Sequence, residues 1–317
     1  MTDAAQSHRR AALVVRVILL LGIVIGGFLL LRKLNLDQLW SGLRHANVFL
    51  LALAIFANLL SQVTRALGWN SLLPRPIPFF RLVRYEFTAQ AASAVSPEGT
   101  GELVRVGLLR DEGVPRTVTV TLMAVRKLFS SLGLVPLLPL VWLTGGNVPS
   151  WAAKLAAGYV AVLIMVSVLV LRAARPPADR TRTTRLRRLL FDTRAALGPI
   201  RRPRVAAEVA GAAVLTRVLD LAALLIVARS LDVQLSLAVG VFVLLLIEVS
   251  GVLPAAPAQL GTFEAAVLLA TIGTLDHVDA VALALVFHAQ QILPQLPFGV
   301  MGIAARRAGR DRPRPQS

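Results

Sequence analysis

The sequence has no cysteine, which excludes a disulfide framework and any thiolate-ligated zinc or iron–sulfur centre. Its four histidines are widely spaced, which argues against a histidine-based metal site. Acidic residues are scarce, with 17 Asp+Glu against 34 Lys+Arg and a formal net charge of +17. Charged residues of all kinds reach only 16%, where a soluble domain averages about 25%. Lysine is nearly missing too, with Lys33, Lys127 and Lys154 alone among the basic residues. Aromatics make up 6% and do not interleave with the arginines, so the base-stacking surface of a nucleic-acid binder is absent. There is no nucleophile elbow and no phosphate loop. The segments between apolar runs are too short for a separate catalytic domain. The expectation is a chain that is not an enzyme, needs no cofactor and takes no nucleic-acid partner.

What is abundant is apolar sequence: 56% hydrophobic residues and a mean hydropathy of +0.69. The runs are long enough to cross a bilayer, so the expected fold is all-α, a polytopic membrane helical bundle forming one integral membrane domain over 1–317. Spans are expected at 11–31, 47–64, 117–144, 151–171, 205–231 and 278–305. The segment 34–46 is amphipathic and suits the interface. Two apolar pieces, 235–253 and 262–275, flank Pro254, Pro257 and Gly261.

The charge has an address. Residues 172–204 hold eleven arginines against two aspartates, and the tail 306–317 holds five arginines against Asp311. By the positive-inside rule both are cytoplasmic, as are Arg9, Arg10 and the basic stretch from Arg65 to Arg116. The weakly charged loops 145–150 and 230–234 fall outside. This reading places both termini in the cytoplasm of a multi-pass cell-membrane protein. A juxtamembrane arginine cluster also attracts anionic lipid, at about 1 kcal/mol per charge. No motif sets an oligomeric state.

A near-repeat carries the functional expectation. The first half reads Ser96-Pro97-Glu98-Gly99-Thr100-Gly101-Glu102-Leu103, and the second reads Pro257-Ala258-Gln259-Leu260-Gly261-Thr262-Phe263-Glu264. Both place Gly-Thr-x-Glu just after a proline. Pro and Gly break helices, and broken backbone at membrane depth is tolerated only inside protein or along a cavity. Matched breaks in two halves mark transporter binding sites. The halves are 1–171, with a re-entrant segment near 79–112, and 205–305, with one near 235–275. The charge-based topology makes the first enter from the cytoplasm and the second from outside, so an inverted repeat is expected. Thr100 and Thr262 suit N-caps, and Glu102 and Glu264 would follow in the first turn. Gly99 and Gly261 supply the turns. Helix starts facing a cavity could hold a lipid phosphate, and the two glutamates an amine or a proton.

Other polar groups lie at membrane depth. Arg126 and Lys127 sit inside the third long run, and charges there normally face the bundle interior. Arg217 and Asp220 are three apart, so a structural pair on one helix face is expected. Glu248 precedes the second break, and His288 suits a helix–helix hydrogen bond. The composite expectation is a cavity with Arg126 as anion anchor, Glu264 opposite and the half-helix starts between.

Pro97-Glu98-Gly99-Thr100-Gly101-Glu102-Leu103-Val104-Arg105 resembles the P-x-x-x-G-E-x-x-R segment of the lysylphosphatidylglycerol synthase transmembrane-region, or flippase-like, family. Leu253-Pro254-Ala255-Ala256-Pro257-Ala258-Gln259-Leu260-Gly261-Thr262-Phe263-Glu264 is similar to its second signature, P-x-x-P-G-G-L-G-x-x-E. The chain departs from that pattern at Gln259, at His288 and beside Arg126, where the flanking acids are missing. The resemblance implies an inner-membrane protein that moves or handles lipids, such as aminoacylated phospholipids or polyprenyl-linked intermediates. It implies no aminoacyl transfer, because the synthase domain of some members is not in this sequence. Gly99, Thr100, Glu102, Arg105, Arg126, Gly261, Thr262, Glu264 and His288 are the expected substrate-binding set. The leading expectation is a lipid transporter working by alternating access. The alternative is a non-transporting partner that docks a membrane enzyme through 172–204.

Overall fold

The computed structural model describes residues 44–74, 76–95, 99–144, 148–173, 197–251 and 259–301. The expected first span, nearly all of the amphipathic segment, Pro97, Glu98, Pro254, Pro257, the bulk of the arginine-rich stretch and the basic tail lie outside the described residues. All regular structure among the described residues is helical.

Ten α-helices follow one another among the described residues: α1 Val48–Leu72, α2 Phe79–Val95, α3 Thr100–Asp111, α4 Arg116–Leu132, α5 Leu140–Leu143, α6 Ala152–Ala173, α7 Pro203–Ser230, α8 Leu237–Ser250, α9 Thr262–Thr271 and α10 His277–Ile292. Among the described residues five stretches are long and apolar enough to cross a membrane: Val48–Leu72, Arg116–Leu143, Ala152–Arg172, Pro203–Ser230 and His277–Met301. They match expected spans, and the chain is a multi-pass membrane protein.

Local chemistry sets the boundaries. Asn47 opens α1, its side-chain oxygen accepting from the Leu50 amide at 3.2 Å, and Ser236 does the same for α8 through the Val239 amide at 3.3 Å. Pro203 starts α7 at a position where a missing N–H costs nothing. The expected span 117–144 is a path rather than one helix. After Leu132 it passes through Gly133 and a 3₁₀ turn, Val135–Leu137, before α5, because Pro136 and Pro139 cannot continue an α-helical ladder. The piece 235–253 contains a 14-residue helix, about 21 Å of rise, which is shorter than a hydrocarbon core of about 30 Å.

α1 and α7 form the most extensive helix pair, and Thr64 and Thr216 meet hydroxyl to hydroxyl at 2.6 Å between them. Around this pair the packing is balanced. α1 contacts α2, α2 contacts α3, α3 contacts α4, and α4 returns to α7. In the second half α7 contacts α8, α8 contacts α9, α9 contacts α10, and α10 returns to α1. Exchanging the two sets of four leaves this pattern unchanged. Ala91, Phe87 and Phe298 join the halves on another side, the two rings 4.9 Å apart.

One apolar core gathers Leu224, Phe242, Leu245, Val267 and Phe287, and another gathers Trp69, Leu72, Leu109 and Leu122. Large apolar side chains also point outward, among them Phe49, Phe56, Phe80 and Ile164. In water this surface would aggregate, whereas lipid solvates it. α6 is the extreme case, with few of its side chains buried.

Candidate functional site

A cavity of about 540 Å³ lies inside the helical assembly, lined from α1, α2, α3, α4, α7, α8 and α10, with residues at the start of α9. Five basic side chains reach it: Arg65, Arg105, Arg126, Lys127 and Arg217. Amides from Gln62, Gln90, Gln259, Gln291 and Gln295 fill much of the remaining wall.

Three carboxylates hold the five cations. Glu86 on α2 is 1% exposed and accepts from Arg105 at 3.1 Å and from Arg126 at 3.2 Å. Both guanidinium groups lie over the Trp69 ring, 5.7 and 5.3 Å from its centroid. Glu248 on α8 accepts from Lys127 at 2.8 Å, from the Ser131 hydroxyl at 2.7 Å and from Arg217. Arg217 also donates to the Ser130 carbonyl at 3.1 Å. Asp220 accepts from Arg65 at 3.1 Å and lies 3.7 Å from Arg217. The expected Arg217–Asp220 pair therefore exists, but it is one edge of a network joining α1, α4, α7 and α8. A charge at this depth survives only when paired and hydrogen-bonded, which is why every one of these acids is shared.

The two glycine-led helix starts match in geometry. Gly99 and Gly261 cap α3 and α9 with φ of 85° and 86°, in the left-handed region that disfavours any side chain. The caps are therefore the glycines. The expected N-cap role of Thr100 and Thr262 is corrected, because both are the first helical residue. The Thr262 hydroxyl instead turns back to the Gln259 carbonyl at 2.9 Å.

The glutamates that follow differ. Glu264 closes on its own helix start, accepting from the Gly261 amide at 2.7 Å, and its other oxygen meets His288 Nδ1 at 2.6 Å. The imidazole is stacked on Phe263, 4.2 Å between centroids and 16° between planes. Glu102, exposed along the cavity, forms no side-chain hydrogen bond or ion pair among the described residues.

Of the expected set, Gly99, Glu102, Arg105, Arg126 and His288 line the cavity, while Thr100, Gly261, Thr262 and Glu264 do not. Sequence reasoning missed Glu86 and Arg65. A usable signal was present: Glu86 precedes Glu248 by the same interval that separates Gly99 from Gly261, Glu102 from Glu264 and Arg126 from His288.

Away from the cavity, Arg81 donates to both Glu112 oxygens at 3.0 Å, and the Tyr85 hydroxyl donates to the same carboxylate. The hydrogen bond to Glu112 raises the Arg81 pKa above its usual value. Burial, then the same carboxylate, pushes the Tyr85 hydroxyl up to about 12. Tyr85 thus stays a neutral donor that ties α2 to the end of α3.

Together these features define a polytopic α-helical membrane protein with a polar, predominantly basic internal cavity. The sequence model of the lysylphosphatidylglycerol synthase TM region family matches residues 13–299, and the chain belongs to that family. A comparison with curated proteins finds no match.

Proposed function

We propose that this chain binds a phosphate-bearing lipid headgroup in the cavity and moves it across the membrane by alternating access. Family membership supports a role in lipid handling. The observation that carries the finer reading is the cavity's charge balance: five basic side chains against four carboxylates, the shared Glu86, Glu248 and Asp220 and the cavity-facing Glu102. A ligand with one negative charge restores neutrality, and arginine forks suit phosphate oxygens. The amide-rich wall supplies donors and acceptors for the rest of a polar head.

Movement across the membrane is supported by three features. The α1–α4 and α7–α10 sets exchange without altering their contact pattern. Each contains a glycine-capped short helix next to the cavity. The arginine distribution in the sequence sets the two units in opposite senses, the arrangement on which rocking transporters rely. On this reading α2–α3 and α8–α9 are the two re-entrant hairpins of an inverted repeat, both termini are cytoplasmic, and the function is transport rather than bond-making.

The test is leaflet exchange of labelled lipids in liposomes holding the purified chain. Wild type should accelerate exchange of at least one anionic or zwitterionic phospholipid or polyprenyl phosphate, and Glu264→Gln should slow it at least tenfold. If no lipid class moves faster than in empty vesicles, transport is refuted. A membrane enzyme co-purifying through 172–204 would then favour the docking alternative.

A further inference from the structure

Arg126 and His288 occupy counterpart positions in α4 and α10, and each half offers its base two acids. In the first half these are Glu86 on α2 and Glu102 at the start of α3, and in the second they are Glu248 on α8 and Glu264 at the start of α9. All four pairs of counterparts share one sequence interval, so no insertion disturbs the correspondence. The two halves have made opposite choices. Arg126 is on Glu86, the acid of the longer hairpin helix, and leaves Glu102 bare. His288 is on Glu264, the acid of the glycine-capped start, which also closes onto the Gly261 amide. Glu248 is meanwhile held by Lys127, Ser131 and Arg217.

We propose that these two bases are the switch of the molecule: Arg126 alternates between Glu86 and Glu102 while His288 alternates between Glu264 and Glu248, always in opposite phase. The inference rests on the repeat reading above. Two halves with one design but unlike conformations exchange those conformations when the molecule inverts. The first half then takes the form the second has now: Glu102 closes on Arg126 and on the Gly99 amide, and the α3 start is clasped. The second half takes the open form, with Glu264 bare toward the cavity. Each base always has an acid, so neither Arg126 nor His288 loses its counter-charge in either state, and the bare carboxylate faces the polar cavity, which keeps the two states close in energy. The bare glutamate marks which half is open to cargo.

Trp69 reports the position of Arg126, whose guanidinium lies over its ring. The experiment uses the full chain in detergent with Trp40, Trp142 and Trp151 replaced by Phe, so that Trp69 emits alone. Arg126→Gln defines the spectrum with the guanidinium removed. His288→Ala breaks the second-half clasp and should move the Trp69 spectrum most of the way to that reference. Adding Glu102→Gln removes the alternate acceptor and should return the spectrum to the parent. Glu264→Ala breaks the same clasp from its other side and should behave like His288→Ala, so misfolding of one variant leaves the other to decide. A Trp69 spectrum unmoved by both clasp variants overturns the switch, as does a shift that persists when Glu102 is replaced. The readout needs no lipid movement. A chain that moves no lipid but shows the Glu102-dependent shift refutes transport and keeps the switch.

Discussion

Glu86 shows how far a single residue can organise this protein. Its carboxylate sits in the interior with Arg105 and Arg126 on its two oxygens and the Trp69 ring beneath both guanidinium groups. Replacing it by Gln keeps the shape but takes the Glu86 counter-charge from buried Arg105 and from half-buried Arg126. Breaking a buried pair from one side costs about 3–5 kcal/mol. Glu86→Gln should therefore lower the thermal unfolding midpoint in detergent sharply. Glu208→Gln, at an exposed pair with Arg204, should leave it nearly unchanged, since surface pairs are worth about 0–1 kcal/mol. Equal midpoints for the two variants would show that the Glu86 cluster is not a buried network. Hydropathy could not separate these residues, because Glu86 and Glu208 are the same side chain and only packing decides which is enclosed.

At the scale of elements, the α2–α3 segment depends on two glycines for different reasons. Gly99 turns with φ of 85° in open space, so its requirement is conformational. Gly101, two residues on, needs room: a Cβ there would stand 2.1 Å from the Ser93 hydroxyl and 2.3 Å from the Ala89 carbonyl. Gly99→Ala should cost about 1–2 kcal/mol from left-handed strain, and Gly99→Asn less, because Asn tolerates that region. Gly101→Ala should cost about 1–3 kcal/mol by pushing α3 off α2. Gly101→Asn should be worse than Gly101→Ala. Thermal midpoints of the four variants check the pattern, and a milder Asn effect at both sites would contradict it. The Pro-and-Gly punctuation made the break legible in the sequence. The close α2–α3 approach was not, since a glycine in a string shows neither its φ nor its neighbours.

For the whole molecule, orientation is the property that charge alone addresses. The arginines of 172–204 predict that this stretch faces the cytoplasm and that the loop before α6 faces the other side. A chain without cysteine is ready for the test. Single variants Ser150→Cys and Thr183→Cys in right-side-out membranes should label with an impermeant maleimide at the first position only. Labelling of both from one side would remove the paired topology on which the two-unit reading depends.

By itself the sequence determined the class of molecule. Apolar runs of sufficient length, scarce acids and a clustered arginine excess define a helical membrane protein, because the bilayer imposes one length and one polarity on anything that crosses it. It also marked the two helix breaks, since Gly-Thr-x-Glu is a local property of the backbone. Tertiary structure alone decided which charges meet. Arg105 and Arg126 find Glu86, Arg217 and Lys127 find Glu248, and Glu264 takes His288 while Glu102 stays open to the cavity. Such pairs join residues on different helices, from 19 to 121 positions apart in the chain, and no local rule of propensity or hydropathy encodes which helices pack together.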